Sequence, residues 1–182
     1  MSEGRRSYFG EPATRSVASC LYVVSGRETA LEMLARVLAD TVIGPDELET
    51  AMVDRLTTET AVTRVSLVLQ IKHLRLSAVK AALLTACSSS TSTELMARIE
   101  RILAPSDAAA STLEAESACG NYTSLATAEK HQSDLAQLIG SCFAGRLGAP
   151  GDEACILAGS AMFAAIFGGT VGMLKQERLL MA

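Results

Sequence analysis

Apolar residues recur at three- and four-residue steps along most of this chain, which is the spacing of one face of an α-helix. The clearest case runs from Arg27 to Val42 and is followed by Gly44 and Pro45, which separate one helix from the next. Pro105 and the pair Gly120-Asn121 mark further helix ends. The pattern predicts seven helices, over about residues 27–42, 45–57, 59–87, 92–104, 107–119, 123–143 and 154–174.

The first 24 residues do not follow this helical spacing. Residues 1–16 are polar and contain Gly4, Gly10 and Pro12, a composition typical of an extended arm. Residues 17–24 are apolar and rich in β-branched side chains, which suits a strand or a buried extended segment. Because the chain offers no obvious strand partner, we favour an extended segment or a first helical turn.

The composition favours helices that approach one another closely. Hydrophobic residues make up 49% of the 182 residues, and there is no Trp. Ala and Leu, which are abundant here, have the lowest intrinsic cost in a helix. We therefore predict an all-α fold, a bundle of about six to seven helices. Its predicted parts are an extended N-terminal arm (1–24), a helical domain (25–144), a linker (145–151) and a strongly hydrophobic C-terminal helix (152–182).

The segment from Ala154 to Leu174 is the most informative part of the chain. It contains 21 consecutive residues without a charged side chain, and charged residues flank it on both sides. Small residues recur along it at four-residue steps, a spacing that lets two helix backbones come into contact. One series is Ser160, Ala164, Gly168 and Gly172, and the neighbouring series is Ala161, Ala165 and Gly169.

Two interpretations of this segment remain open. Its length meets the roughly 20 apolar residues that a membrane-spanning helix needs, and Lys175 and Arg178 would then lie at the headgroups. Its glycines, however, contribute little to the free energy of transfer from water into the bilayer, so membrane insertion would be weak. The alternative is a helix that is hydrophobic all round because its own domain or neighbouring copies cover it.

The charges are distributed unevenly, although the formal net charge is only −4. No acidic residue lies between Glu59 and Glu94, whereas in residues 107–153 acidic residues outnumber basic ones by seven to two. A positive helix face could contact the phosphates of a nucleic-acid backbone or anionic lipid. Alternatively, this positive face is exposed to solvent, or it forms ion pairs with acidic residues of 107–153. Those acidic residues could belong to the same copy or to the next copy in a head-to-tail assembly. The basic residues concerned are Arg64, Lys72, Arg75 and Lys80.

The chain lacks the residue patterns of the common catalytic and metal sites. Its two histidines, His73 and His131, have no Cys, Asp or Glu at metal-ligand spacing, and no glycine-rich phosphate loop is present. The five cysteines are widely and irregularly spaced, as expected of reduced thiols inside a cell, and no secretory signal opens the sequence. We predict no catalytic residue, metal or cofactor.

These features together predict a non-enzymatic, self-assembling structural protein, such as a helical coat or capsid-type subunit. The predicted partners are copies of the same chain, and the predicted location is the cytoplasm or a virion-like assembly. The rival is a tail-anchored membrane protein, either an accessory subunit of a membrane complex or an adaptor. A third alternative is a small helical enzyme or ligand-binding regulator whose pocket is lined by residues far apart in sequence.

Overall fold

In a computed structural model of the chain, residues 27–43, 47–104, 122 and 132–181 are described. They form a bundle of α-helices whose last member is the hydrophobic C-terminal helix, which confirms the predicted all-α fold. The predicted arm at 1–24 and the predicted helix at 107–119 lie outside the described residues. The helices are α1 (Arg27–Ile43), α2 (Glu47–Glu59), α3 (Arg64–Ala86), α4 (Ser89–Leu103), α5 (Gln132–Arg146) and α6 (Glu153–Met181).

Hydroxyl side chains determine where α3 and α4 begin. Thr63 precedes α3 in an extended conformation, and its hydroxyl accepts a hydrogen bond from the Ser66 amide at 3.3 Å. Ser88 caps α4 in the same way. The long helix therefore starts at Arg64 and not at Glu59 as predicted, because Thr60 and Thr63 bind backbone groups that a continuous helix would use.

A tight turn joins α5 to α6 at the segment that was predicted as a linker. The Ala149 amide donates to the Ala144 carbonyl at 3.0 Å, and the Gly148 amide donates to the Gly145 carbonyl at 3.1 Å. Gly148 has a φ of 75°, as this helix-ending motif requires. Residues 145–151 are therefore a turn within one bundle and do not separate the C-terminal helix from the rest.

The described helices enclose two apolar clusters, and α6 contributes to both. The first cluster lies mainly between α3, α5 and α6 and includes Phe143 and Phe163. The second lies between α1, α3 and α4 and includes Leu38 as well as Leu174 of α6. Ile166 and Phe167 of α6 pack against both clusters. The C-terminal helix is thus an integral part of the bundle, although its sequence is that of a candidate membrane span.

The helices α5 and α6 form an antiparallel pair whose backbones are in contact. A methyl group added at Gly140 of α5 would overlap the Ser160 hydroxyl oxygen and the Ile156 carbonyl oxygen. One added at Gly159 of α6 would come within 2.8 Å of the Phe143 side chain. Only glycine fits at either position, and these contacts fix which side of α6 faces the bundle and which side faces outward.

An arginine ties α1 to α4 at the other side of the bundle. Arg98 of α4 contacts the carboxylates of Glu32 at 3.1 Å and Glu94 at 2.9 Å, and it also pairs with Glu28 of α1. The hydrogen bonds that this guanidinium donates to Glu28 and Glu94 raise its pKa further above the ordinary value. The cluster holds the two helices in register.

Candidate interaction surface

Between Ala154 and Leu174, the outward side of α6 is uncharged and made almost entirely of small residues. On the inward side of α6, the buried residues include Cys155, Phe163, Thr170 and Leu174. Among the described side chains of α6, Leu157, near the start of the helix, is the one large apolar side chain that is exposed, at 66%. The exposed residues, which we call the outward face of α6, are Leu157, Ala161, Ala164, Ala165, Gly168, Gly169 and Gly172.

Most of the small residues predicted to mediate packing lie on this outward face. Apart from the neighbouring backbone of α6 itself, no atom of the described residues comes within 4 Å of a methyl group placed at Gly168, Gly169 or Gly172. Ser160 differs from the rest of its series because it is half-buried and donates a hydrogen bond to the Ile156 carbonyl at 2.8 Å. It sits against Gly140 of α5, so it belongs to the contact inside the bundle.

The neighbouring helix α5 extends this uncharged surface. No charged residue occurs between Leu135 and Gly145. Leu138 is 41% exposed. The predicted packing residues did not include α5, although its run without charge was a visible signal. The other exposed residues of this part of α5 are Gln137, Ser141 and Gly145.

The four basic residues of α3 do not form one surface. Arg64 is exposed and forms an ion pair with Asp54 of α2. Arg64 and Lys72 border a shallow hollow of about 340 Å³ whose floor is largely apolar. Lys80 lies about 160° around the helix from Arg64, since successive residues are rotated by about 100°. Of the four basic residues, Arg64 and Lys72 are therefore the two that a phosphate or anionic lipid bound at this hollow would meet.

Arg75, by contrast, lies inside the bundle. Its side chain is only 9% exposed and forms an ion pair with Glu49 of α2, whose side chain is 11% exposed. It also donates to the Thr41 carbonyl of α1 at 3.1 Å. This guanidinium joins three helices. The prediction that Arg75 lies on a positive surface is therefore corrected, because its side chain is enclosed. The reason is that α1 and α2 cover this turn of α3.

Two cysteines lie near the packed side of the α5–α6 pair. Burial raises the pKa of Cys142. Burial, with the nearby Asp152 carboxylate, raises the pKa of the Cys155 thiol to about 11. A thiol with that pKa is ionised in only about one molecule in a thousand at pH 8, and the thiolate is the reactive form.

We expect Cys155 to react with iodoacetamide at pH 8 about a hundredfold more slowly in the folded protein than in the unfolded chain. Timed alkylation followed by peptide mass spectrometry measures this rate directly. Unfolding the protein in urea provides the control, because there the thiol returns to its ordinary pKa. Equal rates in the two states would show that Cys155 is not enclosed.

Neither the geometry of metal binding nor similarity to known proteins indicates an activity. Among the described residues, no group of three or more His, Cys, Asp and Glu side chains could hold a metal ion. Comparison of the chain with protein-family models, curated proteins and solved structures gives no match. By length and composition, the stretch Glu153–Glu177 of α6 could cross a membrane, and only 22% of its most apolar window is buried.

Proposed function

We propose that this chain is a non-enzymatic, self-assembling structural protein, of the coat or assembly-subunit kind. It associates with copies of itself through the outward face of α6 and the adjoining surface of α5. The observation that carries the proposal is that this surface is uncharged and exposed, whereas the opposite side of α6 is packed. An uncharged surface of this kind is typical of a site that another molecule covers.

The residue types on the outward face favour another helix as that molecule. Alanine and glycine bury little apolar area, so they gain little from transfer into lipid. They do allow two helix backbones to approach within contact distance, where dispersion and Cα–H···O contacts accumulate. Within this bundle, α5 and α6 already associate in that way at Gly140 and Gly159.

A tail-anchored membrane protein is the second candidate, and the low burial of the apolar window in α6 supports it. Crossing a bilayer would require α6 to leave the bundle. Phe163 and Leu174 would then be removed from the two apolar clusters, and the partners of those side chains would be exposed to water. That cost is of order 1.5–3 kcal/mol for each large side chain left exposed. The self-association proposal keeps both clusters intact.

A charged side chain on the outward face should dissociate the assembly. We expect the wild-type protein to sediment as an oligomer at micromolar concentration and Ala165→Glu to sediment as a monomer, because the carboxylate would be desolvated without a partner. Ala97→Glu, at an exposed alanine of α4, is the matched control and should leave the oligomer unchanged. Sedimentation velocity with circular dichroism for folding makes the comparison.

A wild-type protein that stays monomeric at every concentration and salt condition would contradict the proposal.

Extraction of expressing cells with alkaline carbonate separates the second candidate from the first. A membrane-spanning α6 keeps the protein in the membrane pellet, and a packed α6 releases it. Retention of both the wild type and Ala97→Glu in the pellet would favour the membrane anchor.

A further inference from the structure

Six of the seven residues of the outward face of α6, all except Gly169, are arranged symmetrically about a point between Ala164 and Ala165. Leu157 and Gly172 are equally far from that point along the sequence, and so are Ala161 and Gly168. At about 100° per residue, all of these positions lie within about 50° of one line along the helix. The face is therefore spaced so that it can meet its own copy running in the opposite direction.

The side-chain sizes are complementary in that antiparallel arrangement. Leu157, the one large residue, would lie beside the partner's Gly172, where the described residues leave open space. Ala161 would lie beside the partner's Gly168, and Ala164 beside the partner's Ala165. A parallel arrangement would instead place Leu157 against its own copy and leave the glycines facing glycines, with a gap between the helices.

The charges at the two ends of the face are complementary in the same arrangement. Glu153 is exposed at the start of α6, and Lys175 is exposed just beyond the uncharged stretch. In an antiparallel pair Glu153 would lie next to the partner's Lys175, once on each side of the two-fold axis. In a parallel pair like charges would lie together, which is unfavourable.

We infer that the outward face of α6 binds a second copy of this chain as an antiparallel, two-fold symmetric helix pair centred between residues 164 and 165. The inference rests on the proposed function and names the geometry of its contact. A two-fold contact uses the same patch on both copies, so it closes at a dimer. Larger assemblies would then need a further contact, for which the adjoining exposed surface of α5 is available.

Disulfide cross-linking of single cysteine variants tests the direction of the pair. In the antiparallel arrangement, Ala164→Cys and Ala165→Cys place two thiols near the two-fold axis, and mild oxidation should link most of the protein as dimers. Gly172→Cys alone should not cross-link, because its copy lies about 22 Å away along the axis. A mixture of Leu157→Cys and Gly172→Cys proteins should give a mixed dimer.

Wild-type protein oxidised in the same way is the control for the native cysteines. A dimer cross-linked by Gly172→Cys alone but not by the mixture would overturn the antiparallel geometry. If Ala165→Glu still dissociates the oligomer in that case, the proposed function stands and only this inference fails. A wild type that never associates would refute both.

Reversal of the end charges gives an independent readout. At low salt, Glu153→Lys and Lys175→Glu should each raise the Kd of the dimer by about three- to tenfold. This is the effect expected when an exposed ion pair that occurs twice in the symmetric dimer is lost. The double variant should return the Kd close to the wild-type value, because each pair is restored with opposite sign. If the Kd of the double variant is raised by the combined factor of the two single variants, the pairing is contradicted.

Discussion

Replacing Gly140 with alanine should lower the free energy of unfolding by about 1–3 kcal/mol, the usual cost of overpacking a well-packed contact. The added methyl group would overlap the Ile156 carbonyl oxygen, which belongs to the backbone of α6 and cannot rotate away. The two helices would have to separate, and α6 would shift relative to both apolar clusters. Urea unfolding followed by circular dichroism measures the loss.

Gly145→Ala provides the matched control in the same helix. It is the same chemical change, but no atom lies within 4 Å of the added methyl group among the described residues. Removing a helical glycine should there leave stability unchanged or raise it by up to about 1 kcal/mol. Should both variants unfold at the same urea concentration, α5 and α6 would not be in backbone contact and the outward face of α6 would be misassigned.

Gly140 and Gly159 show how much of the helix packing could be predicted from the sequence. Small residues at four-residue spacing led to the prediction of helix packing at Gly168, Gly169 and Gly172, but that spacing did not single out Gly140 or Gly159. Gly140 and Gly159 are used inside the bundle, whereas the other three face outward. The distinction depends on where α5 lies relative to α6, which is a tertiary property that local spacing does not carry.

The helices themselves were largely predictable because apolar periodicity and helix-ending residues are local signals. The predicted boundaries of α1 agree with Arg27–Ile43 to within one residue. The largest difference concerns α3, where Thr60 and Thr63 end one helix and start the next with their hydroxyl groups. The apolar content of Val62 and its neighbours hid that break, since apolar spacing continues across it.

The conformation of the connection between α5 and α6 could not be predicted from its composition. A run of glycines with one proline is typical of a linker, and the same residues are needed in a tight helix-ending turn. Gly148 and Gly151 have φ values of 75° and 85°, so glycine is required there for backbone conformation. Composition alone does not distinguish a flexible connection from a turn in which each glycine has a fixed conformation.

Replacing Arg75 with methionine should lower the free energy of unfolding by about 3–5 kcal/mol. The change removes the guanidinium that neutralises a largely buried carboxylate, Glu49, and it also removes a donor to the Thr41 carbonyl. Thermal or urea unfolding measures the loss. Arg55→Met is the control, because its ion pair with Glu59 is exposed and is worth at most about 1 kcal/mol.

The same substitution separates an enclosed arginine from one on a binding surface. A surface arginine that contacts phosphate could be changed to methionine with little loss of stability, and the effect would appear in salt-dependent binding instead. For the enclosed ion pair, adding Glu49→Leu to Arg75→Met should recover much of the lost stability, because an apolar pair of similar size avoids burying an uncompensated charge. A double variant less stable than Arg75→Met alone would show that the carboxylate has a stabilising role independent of this arginine.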